Sequence, residues 1–249
     1  MKSILTVALR EAKDHLRQPW IIVAAIAFYV IFDALYFVIL TGLDAALSNP
    51  QLLGLLGAQD ADTFVEQIVG YVNTLVLTEP PTLASLLGAY ALLNDRQNGT
   101  LPFLLLSPVS RWQLLVGKVL GCLIVPMTLH MTFGLGTSLA VSAFDVTASV
   151  PHSLPFSAGW CVAFFLGAPA WSAVLTCIAV LASSLAKDVR TSQQLISLVN
   201  GILSIAVGGG LAMAMASVGA ELGLAVFGGL SFVALVALGQ LVISRDVSR

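Results

Sequence analysis

Charge is what this sequence has least of. Asp, Glu, Lys and Arg make up 10% of its 249 residues, where soluble domains carry roughly 25%. With 58% hydrophobic residues, the chain holds more apolar surface than a soluble core could enclose. Cysteine is scarce as well. Cys122, Cys161 and Cys177 lie in apolar stretches without zinc-type spacing or a disulfide framework, and read as small buried hydrophobes. The short alternating segments of a transmembrane β-barrel are missing. So is a Gly-rich phosphate loop ending in Lys-Ser or Lys-Thr, because Gly117-Lys118 runs into Val119. ATP hydrolysis by this chain alone is therefore not expected. Nor do His, Asp, Glu or Ser-Lys groups converge as a catalytic constellation would, so an enzyme is not expected either.

What the sequence has in abundance is long uncharged runs, each able to cross a hydrocarbon layer of roughly 30 Å as a helix. They predict an all-α polytopic membrane protein, a single transmembrane domain over 1–249 with six transmembrane helices. The spans fall at about 20–40, 80–93, 118–141, 156–185, 194–217 and 222–243. Residues 1–18 mix Lys2, Arg10, Glu11, Lys13, Asp14 and Arg17 with Ile4, Leu5, Ala8, Ala12 and Leu16 at helical spacing, an amphipathic helix lying on the membrane surface. The first apolar run is too long for a cleaved signal peptide and is expected to stay as a span. Phe64 to Leu77 reads as a short helix on the outer surface rather than a span. Pro80 and Pro81 suit the first turn of the second span, with an extension back through Leu77 as the alternative. Pro169 predicts a kink in the fourth.

This layout puts all 11 basic residues on one side, and the opposite loops hold Asp44, Asp60, Asp62, Glu66, Glu79, Asp145 and Glu221. Basic loops stay cytoplasmic, so both termini are expected there, in a bacterial or archaeal cell membrane.

The longest polar stretch between spans runs from Asn94 to Lys118. Thr100 can cap a helix whose first turn holds Pro102 and which Pro108 ends. A short helix of this kind, over 99–111, can insert its apolar face, Leu101, Leu104 and Leu105, into a groove on a partner. On pattern alone, an interfacial turn anchored by Trp112 accounts for it equally well.

Asp95, Gly99, Thr100, Leu104 to Leu106, Ser107, Pro108, Ser110, Arg111, Gly117 and Lys118 stand in the order of a segment that resembles the loop after the second span of type-2 ABC-transporter permeases. The N-terminal amphipathic helix, the six-span layout and the turn from Ser183-Ser184 to Gln193 extend the resemblance over most of the chain. Asp95 and Gln97 depart from it, since that family usually has Glu at the first and often an acid at the second. The resemblance implies that the short helix is a coupling helix docking on a cytosolic ATPase, which binds ATP and Mg. It also implies a dimer of permeases, homodimer or heterodimer, with two ATPase subunits. Compact outer loops resemble both the haem-related permease of cytochrome c maturation and the permease of copper-site maturation. A role in metal or haem cofactor assembly thus stays open beside small hydrophobic or lipid-like cargo.

Within the spans, polar candidates are few. Asp33 lies 13 residues past Trp20, so about 20 Å along the helix and in the outer half of the bilayer. Tyr29 and Tyr36 share its face, and the three are candidates for a substrate path or a permease contact. Met127, His130 and Met131 share a face of the third span at a spacing that could hold a soft metal, although ordinary packing explains them as well. An ion-coupled secondary transporter is the second function class, and would want several buried charges and an inverted repeat. Lipid is the expected surrounding, and nucleic acid is not an expected partner.

Overall fold

The computed structural model describes residues 2–47, 49, 61–106, 108–143, 156–186, 188–218 and 222–234. The described elements are helical throughout. Helix α1 is Lys2–Leu16, α2 Pro19–Leu47, α3 Ala61–Gln97 and α4 the short Leu101–Leu106. Helix α5 joins Arg111–Leu129, a π turn His130–Gly134 and Leu135–Ala143. Helix α6 joins Ala158–Val162, a second π turn Ala163–Gly167 and Ala168–Leu185. Val189–Val218 is α7 and Leu222–Ala234 is α8. Among the described residues, four helical stretches are long and apolar enough to cross a membrane: Pro19–Gly42, Val76–Gln97, Arg111–Ala143 and Ala158–Ser184.

The second expected span differs in extent. Helix α3 continues through Pro80 and Pro81, and its membrane-length part begins at Val76. The two rings withhold the donors that the Val76 and Leu77 carbonyls would otherwise accept. Tertiary burial outweighs that loss, since Val76, Leu77, Pro80 and Pro81 are all buried. Glu79, grouped above with the outer loops, lies inside this helix and is 1% exposed.

Helix α3 is the central post, contacting α2, α5, α6 and α7. One apolar cluster gathers Tyr36, Leu40, Trp160, Phe164, Trp171 and Phe227. A second, toward the basic end of the bundle, gathers Ile21, Ala84, Leu87, Cys122, Leu123 and Val180. The two π turns meet at the first cluster, with the His130 ring stacked on Phe164 at a centroid separation of 4.1 Å. Pro169 follows the second π turn by two residues, so the wide turn accommodates its missing donor.

Helix α1 is amphipathic, and its small face is docked. Gly117 and Gly121 on α5 sit under Val7 and Glu11, so tightly that a Cβ at Gly117 would come within 2.6 Å of the Val7 Cβ. At Gly121 it would come within 2.5 Å of the Glu11 Cβ and 2.8 Å of the Ala8 carbonyl oxygen. Ala8 and Ala12 line the same contact and are buried. Small residues four apart on both helices let the backbones approach, the usual packing device within membranes.

Candidate functional site

The C-terminus of α3 ends in a Schellman motif, which explains Gly99. Its φ of +68° is the left-handed region where glycine carries no side-chain penalty. Its N–H donates to the Arg96 carbonyl at 3.2 Å, and the Thr100 N–H donates to the Asp95 carbonyl at 2.9 Å. The Thr100 hydroxyl also turns back, donating to Asp95 Oδ1 at 2.8 Å. This closes the chain reversal and sets the start of α4.

Asp95 in turn meets α5 and α1. Lys118 Nζ lies 2.5 Å from Asp95 Oδ2 and 2.7 Å from Glu11 Oε2, and it donates to the Ala91 carbonyl at 2.7 Å. Glu11 and the Ala91 carbonyl accept hydrogen bonds from this lysine, which is 2% exposed, and Asp95 adds its charge as an ion-pair partner. Arg10 approaches Asp95 Oδ1 at 3.9 Å from the solvent side. His15 Nε2 lies 3.7 Å from Glu11 Oε1 and 3.6 Å from Cys122 Sγ. Burial, followed by the neighbouring Lys118 charge, lowers the His15 pKa to about 4, so the ring is neutral at physiological pH. Burial also raises the Glu11 carboxyl above its ordinary value, against the pull of Lys118.

On the other flank, α3 is tied to the α6–α7 turn. Arg96 donates to the Ala186 and Ser184 carbonyls at 3.1 and 2.8 Å, and the Ser192 hydroxyl donates to the Ala89 carbonyl at 2.8 Å. Gln193 donates to the Tyr90 hydroxyl. The base of α4 is thus gripped from both sides. Beyond α4, Ser110 caps α5 in a reciprocal capping box with Gln113.

Of the residues singled out in the sequence, Asp95, Gly99, Thr100 and Lys118 come together here. Leu101 and Leu104 are half-buried, while Pro108 and Arg111 are exposed. Ser107 and the Leu105 side chain lie outside the described residues. The outward face of α4 is Phe103, 75% exposed, and Leu106, 84% exposed. Sequence reasoning did not connect Glu11, Arg10 and His15 to this site. The signal that could have done so is Gly117-x-x-x-Gly121 facing Ala8-x-x-x-Ala12.

The candidates within the spans separate. The Tyr29 hydroxyl donates to the Pro126 carbonyl at 2.9 Å rather than to Asp33, and Tyr36 packs into the Trp160 and Phe164 cluster. Asp33 is buried at 6% exposure with Glu79 as a like-charged neighbour. The Thr137 side chain approaches Asp33, yet no oxygen of either carboxyl completes a hydrogen bond among the described residues. Met127 packs with the Cys122 cluster, whereas Met131 packs with the Trp160 cluster, on whose Phe164 the His130 ring is stacked.

The family model for "ABC-2 family transporter protein" matches residues 5–241. The chain is 30% identical over 152 residues to the probable ABC transporter permease protein NosY of Pseudomonas aeruginosa, an alignment covering 61% of this chain and 48% of that protein. It is 29% identical over 135 residues to the probable ABC transporter permease protein NosY of Stutzerimonas stutzeri, covering 54% of this chain and 44% of the relative. The chain thus spans about half the length of the curated relatives it matches. With a family match that runs from the docked α1 to beyond α8 and takes in the whole gripped end of α3, this chain belongs to the ABC-2 family of transporter proteins.

Proposed function

We propose that this chain is the membrane subunit of an ATP-driven exporter, six spans with both termini cytoplasmic, coupled through α4 to a cytosolic ATPase that supplies ATP and Mg. The observation carrying this reading is the mounting of α4. A six-residue helix presents Phe103 and Leu106 outward while its root is tied by Asp95, Thr100 and Lys118 to α3, α5 and α1. Large exposed apolar side chains on a rigid pedestal are what helix-in-groove docking requires. A push on α4 would pass into α3 and α5 without the pedestal yielding.

Six spans are half of a complete transporter, so the working unit in this reading pairs two permeases with two ATPases in a bacterial cytoplasmic membrane. The names of the relatives support the permease role. The buried acids Asp33 and Glu79 belong to the cargo route in the outer half of the bilayer.

The test is co-purification of the tagged permease with the ATPase encoded beside it. Phe103→Asp with Leu106→Asp should abolish ATPase binding and stimulation while leaving insertion and thermal stability unchanged, since both side chains are exposed. Normal binding by the doubly substituted protein would sink the coupling role of α4.

A further inference from the structure

A second feature lies at the interface of α1 and α5, beside the Lys118 clamp and independent of ATPase docking. Glu11 and His15, four residues apart, share one face of α1. Cys122 follows Gly121, the position of closest approach between the two helices. A Glu11 carboxylate oxygen, a His15 ring nitrogen and Cys122 Sγ all lie within 4.8 Å of one another. We propose that Glu11, His15 and Cys122 form a binding site for a divalent metal ion of the zinc class, tying α1 to α5.

The distances carry the argument. With Zn–S about 2.3 Å and Zn–N and Zn–O about 2.0–2.1 Å, the edges of a tetrahedral site are about 3.4–3.6 Å. His15 Nε2 stands 3.6 Å from Cys122 Sγ and 3.7 Å from Glu11 Oε1, within a few tenths of an ångström of those edges before any adjustment. Lys118 engages the other Glu11 oxygen, Oε2, so Oε1 is the one turned toward the ligand set. The Lys118 bond orients the carboxylate as outer partners orient metal ligands elsewhere. One thiolate, one imidazole and one carboxylate suit zinc rather than the all-oxygen sets of magnesium or calcium.

Charge points the same way. Glu11, Asp95 and Lys118 leave one net negative charge in a buried setting, while Arg10 and Asp14 pair with each other at 3.8 Å. A divalent ion displacing the Cys122 thiol proton to solvent adds one net positive charge and brings the buried set to neutrality. Access reaches the site from the side of α1, where Glu11 and His15 line a cavity of about 200 Å³ with Asp14, Tyr90, Asn94 and Gln97. That cavity borders two of the three ligands, where a fourth ligand such as water would complete a tetrahedral set.

The probe is Co(II), added to the purified full-length permease in lipid nanodiscs and read by its thiolate-to-cobalt charge-transfer and tetrahedral ligand-field bands. One equivalent should bind and be displaced by Zn(II), and Zn(II) should raise the thermal midpoint. Cys122→Ser should abolish the charge-transfer band, His15→Gln should weaken binding at least about tenfold, and Cys177→Ser should leave both unchanged. Absence of the band in the unsubstituted protein, or its survival in Cys122→Ser, would overturn the site. ATPase binding is not part of the readout, so this result stands apart from the coupling test.

Discussion

Glu11 Oε2 and Lys118 Nζ lie 2.7 Å apart across 107 positions of sequence, and Asp95 completes the contact from α3. Lys118→Met leaves two buried carboxylates without their shared counter-charge. Removing one partner from such a group costs about 3–5 kcal/mol, so the thermal midpoint in detergent should fall sharply. Adding Glu11→Gln to Lys118→Met should restore part of the loss, because one of the stranded charges is then gone. A double substitution as damaging as the sum of the two singles would show that Glu11 and Lys118 do not interact.

Docking of α1 depends on the absence of a side chain at Gly121. Gly121→Ala places a Cβ 2.5 Å from the Glu11 Cβ and 2.8 Å from the Ala8 carbonyl oxygen. Overpacking of this kind costs about 1–3 kcal/mol. Gly136→Ala is the control, since nothing lies within 4 Å of its Cβ, and it should leave stability unchanged. Equal unfolding midpoints for the two variants would rule out the close packing of α1 on α5.

Among the described residues, Glu79 carries a buried carboxyl without a completed hydrogen bond. An unsatisfied buried polar group costs about 1–3 kcal/mol, so Glu79→Met should raise the unfolding midpoint of the purified permease. In the proposed transporter the same substitution, and Asp33→Asn, should lower export by the reconstituted complex. A destabilised Glu79→Met protein would mean the carboxyl is structurally satisfied.

Single cysteines in a cysteine-free background test the orientation. Those replacing Asp60, Asp145 or Gly219 should react with an impermeant maleimide added to intact cells, and those replacing Gln97 or Asp188 should not. Labelling of Gln97 from outside would invert the layout and place α4 on the wrong side for a cytosolic ATPase.

The class of this protein was legible because hydrophobic run length is a local property. A scarcity of charge and runs of membrane-crossing length require helices in a bilayer whatever the runs pack against. The short helix after Gly99 was legible for the same reason, since the Gly-Thr chain reversal and Pro102 act on their own neighbours. Pro80 and Pro81 show the limit of local reasoning. Their preference for a helix start is outweighed by burial along α3, and Glu79 is carried into the interior with them.

The sequence by itself therefore determined an all-helical membrane protein, its family resemblance and the position of α4. Only the tertiary structure decided that α1 is docked on α5 rather than merely resting at an interface, and that Glu11, Asp95 and Lys118 share one buried charge cluster. It likewise decided that Tyr29 bonds Pro126 instead of Asp33. The reason is distance along the chain. Spans, caps and turns are set within about one helical turn, whereas an ion pair between positions 11 and 118 exists only once Gly117 and Gly121 let two helix backbones meet.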